Sequence, residues 1–352
     1  MPDKKKLNKK IGNTVKRKLK SKARRKGKKM AKKFPLVFFS LLFLVLAIYL
    51  AVCYIDYKDI DIGLDIDLGD ANIIEAVVPE PEVKVEPLPI PSNGEVMFHF
   101  IDVGQGDATL ITSPNGNVLI DTSESAAEKQ LDTYLEAAQI DTLKYLILTH
   151  PDADHIGNAK FIIENYKVEN VVLDKENVAS TATYSDLLDA IEVNKVNIVN
   201  AKGIKGGNDS SGTRVDLGSL SLVILGPLKD YGDPNENSLV IQAIYGDTRV
   251  MLTGDAESKN EADLVAKYNL KSDILKVGHH GSSSSTTSEF LDKVDPSIAI
   301  ISCGKDNKFG HPHAEVVERI NAKGITTYRT DEVGSIIYKT DGKTFTLVET
   351  RK

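Results

Sequence analysis

The residues best suited to chemistry lie between Leu146 and Asn158, in the run Leu-Ile-Leu-Thr-His-Pro-Asp-Ala-Asp-His-Ile-Gly-Asn. Within six positions it holds His150, Asp152, Asp154 and His155. Imidazole nitrogen and carboxylate oxygen together suit Zn²⁺ or Mn²⁺. His150 and Asp152 lie two apart and can face one ion. Asp154 and His155 are adjacent, point differently, and can face a second. The apolar run Tyr145–Leu148 before them reads as a buried strand, and Ile156, Phe161 and Ile162 after them follow helical spacing. The cluster therefore sits where a strand ends and a helix begins, a place where a rigid scaffold presents side chains. An Asp capping a helix N-terminus accounts for one carboxylate here, but not for two histidines as well.

Six of the seven histidines fall in three short groups, His150/His155, His279/His280 and His311/His313. The seventh, His99, lies inside an alternating strand pattern (Val96, Phe98, Phe100) and is expected to be structural. Asp255 follows the strand-like run Val250–Thr253 and precedes a helical stretch, so it reads either as a cap or as a ligand. Asp121 falls at the end of the run Val118–Ile120 and is expected to support a ligand from behind.

These residues carry a family resemblance. His150-x-Asp152-x-Asp154-His155 resembles the His-x-His-x-Asp-His signature of metallo-β-lactamase-fold hydrolases, with Asp152 in place of the second His. That replacement resembles the hydrolase domain of the ComEC-type competence proteins. The stretch Asp102-Val103-Gly104-Gln105-Gly106-Asp107-Ala108 is similar to that subgroup's opening motif. Asn237-Ser238-Leu239-Val240, Thr253-Gly254-Asp255, Gly278-His279-His280-Gly281-Ser282 and His311-Pro312-His313 follow in order. The match runs from about Glu95 to Val348, and the motifs are specific as a set.

The resemblance implies an α/β (α+β) αββα sandwich and a ligand set of His150, Asp152, Asp154, His155, Asp255 and one of His279 and His280, with Asp255 bridging two ions. Which of the two histidines is the ligand stays open. Members of the family also place a His before the strand that leads to the Asp255 position. Asn237 stands there, as a weaker ligand or a hydrogen-bond donor. With Asp152 also replacing a His, the first site is poor in nitrogen, which favours Mn²⁺ relative to Zn²⁺ and allows one or two ions. An ion of this kind makes water acidic enough to attack an electrophile at neutral pH. Asp154 would orient that water, and His280, His311 or His313 would serve the leaving oxygen. Asn237, Ser238, Gly281 and Ser282 would meet the substrate. His311 and His313 precede a helix whose backbone N–H groups favour anions, although Pro312 there also suits a plain helix entry.

The chain has 352 residues, 41% hydrophobic and 27% charged, enough for one large domain with extensions. Its net charge of −6 hides an asymmetry. Residues 1–33 hold 17 Lys and Arg against the single acid Asp3 and read as a disordered basic tail. Residues 34–54 carry no charge and are long enough to span a bilayer. The basic flank places the N-terminus in the cytoplasm and the remainder outside. A signal peptide is the competing reading, with Leu50-Ala51-Val52-Cys53 a poor lipoprotein site, and an uncleaved anchor is expected. Residues 55–93 form an acidic, Pro-rich linker of about −8, without the Glu and Gly placement of an EF-hand.

The domain at 94–352 then carries about −14. Such a surface offers no general basic patch for nucleic acid. Cys53 and Cys303 lie far apart in sequence and form no thiolate metal motif. The expectation is a membrane-anchored extracellular metal-dependent hydrolase acting on a phosphodiester, extracellular DNA being the polymer the resemblance implies. An enzyme of cell-envelope polymers with choline- or teichoic-type phosphodiesters is the alternative, and a non-catalytic binding module a third.

Overall fold

A computed structural model describes residues 86–201 and 213–351. The basic tail, the apolar stretch 34–54 and most of the linker lie outside the described residues. Among the described residues no helix is long and apolar enough to cross a membrane.

The first half of the fold holds β1 (Val96–Phe100), β2 (Thr109–Thr112), β3 (Val118–Ile120), β4 (Thr142–Leu143), β5 (Tyr145–Ile147), β6 (Lys167–Val168), β7 (Asn170–Leu173) and β8 (Asn197–Asn200). The second half holds β9 (Arg214–Leu217), β10 (Leu220–Gly226), β11 (Val240–Tyr245), β12 (Thr248–Leu252), β13 (Ile274–Lys276), β14 (Ile298–Ile301) and β15 (Thr326–Arg329), followed by β16 (Ser335–Thr340) and β17 (Phe345–Arg351). One sheet runs β17-β16-β1-β2-β3-β5-β7-β8 and the other β15-β14-β13-β12-β11-β10-β9, while β4 and β6 pair separately. Each large sheet has an antiparallel half and a parallel half. β3, β5, β7 and β8 are parallel in the first sheet, and β12 to β15 in the second.

Strand alternation builds the layers. In β12, Val250 and Leu252 face a core shared with Phe98, Ile120 and Ile147 of the other sheet. Met251 between them faces outward, into a core with Leu264, Phe290 and Ile320 from three helices. In β5, Ile147 joins the inter-sheet core, while Leu146 packs outward against Leu131, Ile162 and Leu187. Strands covered on both faces read as continuous apolar runs, which is why Leu146–Leu148 and Ile274–Leu275 look unbroken in sequence. Two sheets packed face to face with helices outside make the αββα sandwich that the resemblance implied.

The run Arg214–Val223 is a hairpin, because Gly218 adopts φ +62 and turns β9 into β10. Ser125–Ala127 form a 3-10 turn that leads into a helix over Glu128–Ala137. The end of the stretch read as linker lies on the fold. Leu88 is buried, and its N–H donates to the Ala137 carbonyl at 2.8 Å. His99 is a packed core histidine, with ring nitrogens 3.1 Å from the Tyr134 hydroxyl and 3.4 Å from Thr112 Oγ1, and burial pushes it down to about 3.

Candidate metal centre

The chemistry-bearing side chains stand just past the carboxyl ends of adjoining parallel strands: Asp121 after β3, His150 to His155 after β5, Asp255 after β12, and His279 and His280 after β13. That edge of an α/β sheet is where loops can converge on a ligand.

Asp255, nearly fully buried, is the hub. Its Oδ1 lies 3.2 Å from His155 Nε2. Its Oδ2 lies 3.6 Å from both His280 Nε2 and His279 Nε2, and 4.0 Å from His150 Nε2. His280 Nε2 is also 3.4 Å from Asp154 Oδ2. Asp154, His155, Asp255 and His280 offer donor atoms all within 4.8 Å of one another. Donors about 2.1 Å from a tetrahedral ion stand roughly 3.4 Å apart, which the closest pairs match. A looser second set is His150, Asp152 and His279 around the same Asp255, with His150 Nε2 3.9 Å from Asp152 Oδ2. Asp152 occupies the N-cap of the short helix Ala153–Ile156 but makes no side-chain capping bond, which leaves its half-exposed carboxylate free.

Each imidazole is tied by Nδ1, which turns Nε2 inward. His155 Nδ1 donates to Asp121 Oδ2 at 2.8 Å. His280 Nδ1 donates to the Ser302 carbonyl at 3.0 Å. His279 Nδ1 donates to Glu257 Oε1 at 3.0 Å. Thr149 Oγ1 gives its proton to Asp121 Oδ2, so it accepts from His150 Nδ1 at 3.2 Å. This is how proteins orient metal-binding histidines from behind. Nε2 of His150, His155 and His280, together with Asp255 Oδ1, are buried without a hydrogen-bond partner. Orphaned buried polar atoms are uncommon, and four aimed at one point fit a divalent cation.

The electrostatics agree. Burial works against charge on Asp255, yet His155 and His280 hold it well below the usual carboxylate range. Burial likewise disfavours charged His280, but Asp255 and Asp107 push it up to about 10. His155, opposed by burial, is raised well above its ordinary value by Asp255 and Asp121. Asp154 is held down to about 2, burial being outweighed by the nearby imidazoles of His280 and His155. His150 is pushed down to about 3 by burial and by His155, a neutral imidazole suited to ligation. The carboxylates thus favour positive charge in this pocket, which a divalent ion would supply in place of the protons on His155 and His280.

Backbone detail serves the same end. His279 and His280 both adopt left-handed φ, 45 and 54, which lets two adjacent rings reach one carboxylate. Gly106 packs against the strand-end loop so closely that a Cβ would lie 2.5 Å from the Asp154 carbonyl oxygen, and Asp107 N–H donates to that oxygen at 3.1 Å.

Several expected site residues take other places. Asn237 does not face the cluster. Its Oδ1 accepts from Tyr231 N–H and its Nδ2 donates to Asp230, both at 2.8 Å, so the amide is committed to its own loop. Ser238 Oγ accepts from the Asp255 N–H at 3.1 Å and so fixes the hub rather than reaching a substrate. His313 is a strut. Its Nδ1 accepts from Ser283 N–H at 2.9 Å, and its Nε2 lies 3.3 Å from the Phe309 carbonyl. Gly281 gives its carbonyl to His313 N–H, and Ser282 Oγ bonds Ser284 Oγ, whose own partner is Glu257. His311 does reach the site. Its ring is 5.4 Å from that of His279 and 6.1 Å from that of His280. Burial and the nearby imidazoles push it down to about 4.

Glu257 and Thr149 were missed as orienting groups, as was the buried pair of Lys276 Nζ and Asp107 Oδ2 at 2.8 Å behind His280. Asp107 stood in a quoted motif without a role. Lys276, inside an apolar strand, gave no signal.

Comparison with known proteins shows the family. The Metallo-beta-lactamase superfamily profile matches residues 101–305, and the chain belongs to that superfamily. It is 36% identical over 268 residues to ComE operon protein 3 of Bacillus subtilis, covering 70% of this chain and 33% of that protein. It is 30% identical over 258 residues to Competence protein ComA of Neisseria gonorrhoeae, covering 72% of this chain and 33% of that one. The chain thus spans about a third of the length of these curated relatives. Among solved structures, the metallo-beta-lactamase fold protein YhfI from Bacillus subtilis is 11% identical with a TM-score of 0.46, covering 70% of this chain and all (100%) of its own.

Proposed function

We propose that the domain is a metal-dependent phosphodiesterase. The observation that carries this reading is the convergence of His150, His155 and His280 Nε2 with Asp255 Oδ1, all buried and unpartnered. His155, His280, Asp154 and Asp255 would hold one ion, and His150, Asp152 and His279 a second that shares Asp255. A divalent ion there supplies Lewis acidity and lowers the pKa of a coordinated water towards neutral. Asp154, ionised at any working pH, accepts a hydrogen bond from the nucleophile and orients it. His311, neutral above about pH 4, offers a hydrogen bond at the leaving oxygen. Asp121, Thr149, Glu257 and the Ser302 carbonyl keep the imidazoles in the tautomer that ligation needs.

The name of one relative, Competence protein ComA, supports nucleic acid, the polymer that the resemblance implied. The domain's charge of about −14 favours few phosphate contacts, and keeps a smaller envelope diester as the second reading. Full-length protein given Mn²⁺ or Zn²⁺ should hydrolyse bis-p-nitrophenyl phosphate. Its affinity for single-stranded DNA should fall with salt at a log–log slope of about −2 or shallower, the value for two or three neutralised phosphates. A slope several times steeper would reveal an extended basic groove. Failure on every diester would leave the binding-module reading.

An outward-facing membrane anchor is part of the proposal, supported by the basic residues 1–33 beside the apolar residues 34–54. Protease added to intact cells should cut the Pro79–Pro91 spacer on the N-terminal side of the buried Leu88. Protection of that spacer, with digestion of the basic tail instead, would reverse the orientation.

A further inference from the structure

The loop from Lys305 to Gly310, between β14 and the helix Ala314–Asn321, carries a feature that metal binding does not use. Phe309 is 47% exposed, and it is the one aromatic among the exposed large hydrophobic side chains of the described residues. Its ring stacks on His311 at 5.6 Å with an interplanar angle of 19°. His311 stacks in turn on His280 at 6.1 Å and 28°. Three near-parallel rings therefore lead from the buried cluster to the surface.

The loop is held in this shape rather than left loose. Asn307 Oδ1 accepts from Phe309 N–H at 3.1 Å and from His311 N–H at 3.0 Å, while its Nδ2 donates to the Gly304 and His311 carbonyls. Gly304 N–H donates to Gln105 Oε1 at 3.1 Å, tying the loop to the segment that supports Asp154. A phenyl ring 47% exposed beside the cluster leaves apolar surface in water, which burial against a ligand would relieve. Two cations share its loop. Lys305 and Lys308 are exposed, and Lys308 Nζ stands 4.9 Å from the ring centroid, where it is free to swing to an anion.

We propose that Phe309 is the platform on which a planar ring of the substrate stacks, the nucleobase next to the scissile phosphodiester, with Lys305 and Lys308 meeting the adjoining phosphate. This rests on the phosphodiester reading above and names its substrate as one that carries bases. Stacking on an aromatic side chain tolerates any base, because each has a π-face, so the platform gives affinity without sequence preference.

The test is binding of fluorescein-labelled octathymidylate, and of an abasic octamer with the same phosphates, to the full-length protein supplied with Mn²⁺. Phe309→Ala should weaken octathymidylate binding by about tenfold and leave the abasic octamer within about twofold, and Phe309→Trp should restore the difference. Equal loss on both octamers would make Phe309 a structural residue. No preference of the unaltered protein for thymidylate over the abasic octamer would also overturn the proposal. Binding does not depend on turnover, so the two readings fail separately. A base-dependent loss without hydrolysis of any diester keeps the platform and removes the phosphodiesterase. Hydrolysis without a base-dependent loss does the reverse.

Discussion

Asp255→Ala should abolish activity and strip most of the bound metal while the fold persists. Among the described residues, Asp255 is the one side chain that stands within 4.0 Å of all four inward-facing imidazoles, those of His150, His155, His279 and His280. Removing it deletes a donor from both candidate ion positions at once and takes away the charge that offsets two cations. Hydrolysis of bis-p-nitrophenyl phosphate should fall by about 10³-fold or more, equivalent to at least about 4 kcal/mol of transition-state stabilisation. The backbone of residue 255 remains anchored, because its N–H donates to Ser238 Oγ, so circular dichroism should change little. Asp154→Ala removes a donor from one position only and should retain more metal. Equal metal content in Asp255→Ala and the unaltered protein would remove Asp255 from the ligand set.

The second large effect belongs to a residue that touches no ion. Asp121 is buried, and its carboxylate accepts from Thr149 N–H at 2.8 Å, Thr149 Oγ1 at 2.7 Å and His155 Nδ1 at 2.8 Å. It therefore sets the ring of His155 directly and that of His150 through Thr149. In Asp121→Asn one oxygen becomes an NH₂ donor. If that donor faces His155 it meets another N–H, and relief requires moving the His155 proton to Nε2, the atom that should ligate. Metal affinity or activity should fall by about 10- to 100-fold, the usual range for such supporting carboxylates. Asp121→Ala should lose activity as well, and should in addition destabilise the fold by about 1–3 kcal/mol through unsatisfied buried donors. Metal titration by isothermal calorimetry separates the two variants. Unchanged affinity in Asp121→Asn would mean that the His155 tautomer is set elsewhere.

Much of this site was legible because polar residues interrupt apolar strands at their ends. His150, Asp154, His155, Asp255 and the His279-His280 pair each follow a run of buried aliphatic side chains, and that juxtaposition survives without coordinates. The choice between His279 and His280 was not legible. Adjacent residues normally diverge, and only left-handed backbone at both positions aims two rings at Asp255. Asn237, read as a weaker ligand or a hydrogen-bond donor, takes the second role for a local reason: its hydrogen bonds with Asp230 and Tyr231 turn the amide into its own loop. His313 looked equivalent to His311, yet both of its ring nitrogens brace the Gly281–Ser284 turn and the Phe309 carbonyl. The layer order was readable in outline from two-sided apolar strands. The short, polar β8 and β15 were not, because neither carries a fully buried residue.

The cluster around Asp255 is proposed to hold a divalent ion that hydrolysis requires. Metal content measured by mass spectrometry on full-length protein, before and after chelation, with hydrolysis of bis-p-nitrophenyl phosphate followed in the same samples, decides this. The expected result is one or two Zn²⁺ or Mn²⁺ per chain, loss of hydrolysis as the ion is removed, and its return on readdition, with most of the ion lost from Asp255→Ala. Hydrolysis that persists in metal-free protein, or undiminished metal content in Asp255→Ala, would contradict it.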